Sequence, residues 1–100
     1  MSTLNANIKK LTKANTDFRR ELATNVHSQV VLMCIEPGDD IGEETHAAID
    51  QWLVLVKGEG EVRLGGEVSA VGKGSLIAVP AGTTHNIINT GDQAMKLFTL

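Results

Sequence analysis

Two histidines and a glutamate carry the chemistry that this sequence offers. Glu44 and His46 stand two apart, so in extended backbone both side chains point to one face. His85 opens the apolar run "HNIIN" (85–89) directly after Pro80-Ala81-Gly82 interrupts the strand-like "SLIAV" (75–79). Pro80 fixes its own φ and Gly82 tolerates a positive one, which together aim the following strand sharply inward. If both stretches line one barrel interior, Glu44, His46 and His85 converge on a point, with Gln51 nearby. Two imidazoles and a carboxylate with open positions suit iron(II), and serve manganese, zinc or nickel as well. The competing readings are a structural, hydrogen-bonding role for each histidine and plain solvation for Glu44, whose loop also holds Asp39, Asp40 and Glu43.

Positioning such a set requires strands. "SQVVLMCIE" (28–36) is apolar on both alternating faces, as expected of a strand covered on both sides, and "QWLVLV" (51–56) repeats the pattern. "KGEGE" turns into "EVRLGGEVSAV", where Gly65-Gly66 suits a tight hairpin. "GKGSLIAVP", "HNIIN" and "AMKLFTL" add further strands, the last two separated by a turn over 89–93. Seven or more short strands at this spacing predict an all-β sandwich or closed barrel. The first 27 residues read differently, as a helical or irregular arm (1–27) packing on a barrel (28–100). Asn15 or Thr16 is placed to cap a helical turn over Asp17 to Leu22, and Ile8, Leu11, Phe18 and Leu22 are its apolar contacts.

The bulk numbers exclude several functions. One hundred residues make one domain, and 42% hydrophobic with 21% charged residues is ordinary for a globular chain. A net charge of −3 without a Lys/Arg cluster argues against nucleic acid. Cys34 is the lone cysteine and cannot pair within the chain; in its apolar setting it reads as an inert buried thiol. No signal peptide or membrane-length apolar run stands out, so the expected location is cytoplasmic and no membrane partner is expected. His27 has no partner at metal-ligand spacing and reads as a surface residue.

Gly74, Pro80, Gly82, His85 and Asn89 stand at the spacing G, five residues, P, one, G, two, H, three, N. That pattern resembles the second motif of the cupin superfamily at every fixed position, and a chance match is on the order of 10⁻⁷ per start position. The first cupin motif is matched by Gly38, His46 and Gly58, whereas Glu44 stands where a histidine belongs and Gln51 where the glutamate belongs. Together the two motifs span residues 38 to 89. The resemblance implies an antiparallel jelly-roll β-barrel, all-β apart from the N-terminal arm, and one bound divalent transition-metal ion. It implies Glu44, His46, Gln51 and His85 as the metal's surroundings, the carboxylate having moved from the usual position to Glu44. Gln51 reads as a neutral, weaker fourth ligand or a pocket-lining group; zinc-dependent phosphomannose isomerases, also cupins, combine Gln, His, Glu and His around their metal. Gly74, Pro80, Gly82 and Asn89 are architectural.

The function expected of such a chain is a metal-binding cupin acting on a small polar organic molecule, as a dioxygenase-type oxidoreductase or as an isomerase. The alternative is a non-catalytic module that binds a sugar or small acid. Strand alternation also bears on assembly. With Gln51 inward, Trp52, Val54 and Val56 form an outward apolar strip. Its size predicts a homodimer, the N-terminal arm being the competing cover.

Overall fold

The computed structural model describes residues 3–100; Met1 and Ser2, the start of the expected arm, lie outside the described residues. A short helix, α1 (Ile8–Ala14), precedes eight strands: β1 (Arg19–Thr24), β2 (Gln29–Ile35), β3 (Gln51–Lys57), β4 (Glu59–Leu64), β5 (Glu67–Gly72), β6 (Leu76–Val79), β7 (His85–Ile88) and β8 (Met95–Thr99). They form two antiparallel sheets, one ordered β1-β2-β8-β3-β6 and the other β5-β4-β7. The chain crosses between the sheets after β3, β5, β6 and β7, giving the all-β architecture that the strand spacing predicts and the jelly-roll form that the resemblance implies.

Period-two alternation decides what each strand buries. In the large sheet Val31, Thr99, Leu53 and Ile77 sit opposite one another across four strands, and Met33, Leu97 and Leu55 form the next row. These residues meet Val62, Val71 and Ile87 of the small sheet in one core. Burying each such side chain is worth roughly 1.5–3 kcal/mol. The opposite face of the large sheet is covered in part by α1, which packs on β3 and β8. Leu32, Cys34 and Val56 are buried there, which is why β2 shows no polar face.

The helix lies earlier than the sequence predicts. Asn7, not Asn15 or Thr16, is its N-cap: the Asn7 side chain accepts from the Lys10 N–H at 3.0 Å. Asn15 instead closes the helix as its C-cap, and its Oδ1 accepts from the Asp17 N–H at 3.2 Å in a turn that redirects the chain. The buried Lys96 ammonium donates to the Asn15 carbonyl, fixing that turn against β8. Residues 17–22 are therefore not helical. Arg19 to Thr24 pair with β2, which would otherwise leave a row of backbone groups unpaired. Tertiary pairing outweighs the helix preference of Arg19, Arg20 and Glu21, whose charges suit an edge strand. Of the expected arm contacts, Ile8, Leu11 and Leu22 are half-buried and Phe18 is exposed.

Candidate metal centre

The segment between β2 and β3 positions two of the three chemical side chains. It is not a regular strand, but it runs antiparallel to β7 and is tied to it through isolated bridges at Asp40–Ile88 and Glu44–His85. Glu44 and His85 exchange both backbone hydrogen bonds at 2.9 Å, so their side chains fall on the same face. Two residues on, the His46 carbonyl accepts from the Gly82 N–H at 2.7 Å. Gly82 has φ +83°, the left-handed conformation the Pro80–Gly82 turn requires. Asp50 also accepts from the Ala81 N–H at 2.9 Å, and the Thr45 and Thr84 hydroxyls lie 2.9 Å apart. The turn that delivers His85 is thereby latched to the loop that carries His46.

The outcome is a compact donor cluster. One ligand atom each from Glu44, His46 and His85 lies within 4.8 Å of the others. Glu44 Oε2 is 3.4 Å from His46 Nε2 and 3.9 Å from His85 Nε2. These separations are too long for good hydrogen bonds and close to the roughly 3.4 Å between donors that share a tetrahedral ion about 2.1 Å from each. The two imidazole rings stand 5.6 Å apart, centre to centre, tilted by 40°.

Burial and tautomer sharpen the point. His85 is 2% exposed. Its Nδ1 lies 3.1 Å from the Thr83 carbonyl, which only accepts, so Nδ1 carries a proton, and in the neutral ring Nε2 presents a bare lone pair to the cluster. His85 Nε2, His46 Nε2 and Gln51 Oε1 are all buried with no hydrogen-bond partner. An unpartnered buried polar atom costs about 1–3 kcal/mol, so three around one site indicate a partner from outside the chain. Two imidazole nitrogens, a carboxylate and an amide oxygen match the donors that divalent transition ions accept. Gln51 opens β3 opposite Val79 on the core side of the large sheet and lines the same cavity as Glu44 and His46.

That cavity measures about 660 Å³. Val31, Met33 and Thr99 of the large sheet form its floor, the segment from Glu44 to Trp52 one wall and the β1–β2 hairpin the other. The hairpin wall is the part that sequence reasoning missed. His27 is exposed, as expected, but it lines this cavity. No local signal reveals this, because "TNVHSQ" (24–29) reaches the site only through the pairing of β1 with β2. Among the architectural residues Asn89 is 1% exposed. Its amide donates to the carbonyls of Ile35 and Gln93, at 2.8 Å each, and accepts from the Gly91 N–H at 2.9 Å.

Fold and site together define a cupin, and residues 31–100 match the Cupin_2 family, the cupin domain. The chain belongs to that family. It is 42% identical over 100 residues to the uncharacterized protein YrkC of Bacillus subtilis (strain 168), covering 94% of this chain and 54% of that protein. It is 35% identical over 98 residues to the uncharacterized protein L612 of Acanthamoeba polyphaga mimivirus, covering 94% of this chain and 61% of L612. The chain thus spans little more than half the length of these two relatives. The crystal structure of BH2720 from Bacillus halodurans superposes with a TM-score of 0.96 at 40% identity, covering 98% of this chain and 79% of that one. No helix among the described residues is long and apolar enough to cross a membrane.

Proposed function

We propose that this cupin holds one divalent transition-metal ion between Glu44, His46 and His85, with Gln51 beside it, and binds a small organic molecule at that ion. The observation that carries the reading is the buried His85 Nε2. Its ring is oriented by Thr83, its lone pair meets Glu44 and His46, and it has no partner in the chain. When bound, the ion supplies Lewis-acid polarisation of a ligand oxygen. The residues divide the remaining work. His85 is held in one tautomer and one orientation, and His46 is anchored through its own carbonyl. Glu44 supplies the negative charge that neutral Gln51 lacks, and its half-exposed carboxylate is free to exchange ligation for proton transfer. Iron, manganese, nickel and zinc all accept such donors. Dioxygenase-type oxidation and isomerisation are the reaction classes the set serves. Calorimetric titration with each of the four ions tests the proposal. Wild type should bind one ion per chain and His85→Ala should bind far more weakly; equal affinities for the two would exclude the site.

Assembly as a homodimer belongs to the same proposal, as does a cytoplasmic location. The two edges of the large sheet differ. β1 carries Arg19, Arg20 and Glu21, whereas β6 is uncharged, with Leu76 62% exposed. Of the strip Trp52, Val54 and Val56, only Val56 is buried, on the face that α1 covers; Val54 is half-buried and Trp52 is 46% exposed. The arm therefore covers one end of the strip, and a second copy meeting the β6 side would cover Val54 and Leu76, leaving Trp52 at the cavity rim.

A further inference from the structure

Eight large hydrophobic side chains stand exposed among the described residues. Five of them, Phe18, Val26, Ile49, Trp52 and Leu100, line the cavity above the candidate metal centre. They come from separate stretches: the entry to β1, the tip of the β1–β2 hairpin, the loop before β3, β3 itself and the end of the chain. Scattered single hydrophobics on a surface need no explanation, but convergence from five places on one opening does. One wall of the same cavity is the opposite in character. It presents Glu44 and two buried atoms without partners, His46 Nε2 and Gln51 Oε1. A wholly polar ligand would leave the rim in water, and a wholly apolar one would strand the donors below.

We infer that the cavity takes an amphipathic carboxylic acid, with its carboxylate at the metal centre and an apolar body lying between Val26 of the hairpin and Ile49 of the facing loop, against Trp52. The inference rests on the metal-centre reading for the head of the ligand and on the rim alone for its body. Charge favours a carboxylate through the ion alone: a divalent ion outweighs the single charge of Glu44, while Arg19 in the lining is paired with Glu21 at 3.4 Å and Asp50 is turned to the Ala81 N–H. The volume, about 660 Å³, falls in the range of about 300–1,000 Å³ typical of small-molecule sites. Val26 and Ile49 are then specificity-determining residues. Both are exposed, 81% and 57%, so replacing them leaves the core intact.

The chain supplies its own reporter. Trp52 is its single tryptophan and there is no tyrosine, so emission excited in the tryptophan band reads this rim alone. The experiment titrates zinc-loaded protein, its zinc content measured, with acetate, butyrate, hexanoate and octanoate while Trp52 emission is followed. Affinity should rise about three- to fourfold per added methylene. The slope should flatten in a Val26→Ser/Ile49→Ser variant whose affinity for acetate is unchanged, and removing zinc should weaken all four ligands. A flat series in wild type, or an equal slope in the variant, overturns the inference. So does Trp52 emission that shifts with protein concentration and not with ligand, because a second copy would then cover the rim. Protein that takes up none of zinc, iron, manganese and nickel overturns the metal-centre reading and the placement of the carboxylate with it; a chain-length slope that persists there shows that the apolar wall stands without the ion.

Discussion

β7 has a buried polar side chain at each end, and the chain treats the two in opposite ways. Asn89, just past its last residue, spends its amide on three backbone groups that close the β7–β8 loop and tie it to β2. His85, its first residue, is equally buried, yet only Nδ1 is used internally and Nε2 is left bare beside Glu44 and His46. Burial alone does not separate architecture from function. What separates them is whether the chain itself satisfies the buried atom. Asn89 is satisfied and holds backbone; His85 is half-satisfied, with no partner for Nε2 in the chain.

Substitutions at the two ends should therefore fail differently. The largest effect expected is on metal affinity. His85→Ala should lower it about a hundred- to a thousandfold, since the roughly 10–16 kcal/mol of a four-donor zinc site divides into about 3–4 kcal/mol per donor, whereas Asn89→Ala should change it less than tenfold. Calorimetric titration with zinc reads both. Stability should show the reverse. Asn89→Ala removes three hydrogen bonds of about 1 kcal/mol each, and denaturant unfolding of the metal-free protein should register a loss of about 3 kcal/mol. His85→Leu in the same metal-free state should change stability by less than about 1 kcal/mol, because removing an unpartnered buried nitrogen offsets the lost Nδ1–Thr83 hydrogen bond. A loss as large as that of Asn89→Ala would mean that the His85 ring is structural after all.

Smaller effects sharpen the metal end of the comparison. Glu44→Gln should weaken binding at least tenfold and Gln51→Ala less than that, because only Glu44 brings charge to the ion. Exchanging the pair toward the usual cupin pattern, Glu44→His with Gln51→Glu, should tighten it. Equal affinities for wild type and Glu44→Gln would return Glu44 to the role of a solvated loop carboxylate. The smallest expected change concerns assembly: light scattering at micromolar concentration should report a dimer in wild type and a monomer in Leu76→Lys.

The same contrast explains what could be read in the sequence. The Pro80–Gly82 turn, His85 and Asn89 lie within ten residues of one another, so local spacing alone places them, and the role of Asn89 in holding loop backbone follows. The alternating apolar runs locate β2 to β8 for the same reason. Glu44 and His46 were legible by parity, although the segment that carries them joins β7 through two isolated bridges only. The arm was harder. Arg19, Arg20 and Glu21 have good helix propensity, and only the open edge of β2, distant in neither sequence nor space but invisible to propensity, makes them a strand. The hairpin wall of the cavity was not legible at all, because Val26 and His27 acquire their place through that same pairing.

The central claim is that the unpartnered nitrogens of His46 and His85 exist to bind a metal ion. Elemental analysis of purified protein, after incubation with iron, manganese, nickel and zinc and removal of loose ions, tests it most directly. Wild type should carry one divalent transition ion per chain and a His46→Ala/His85→Ala variant none. A wild-type chain that remains metal-free under all four conditions would contradict the account and leave the cluster a ligand-binding site without an ion.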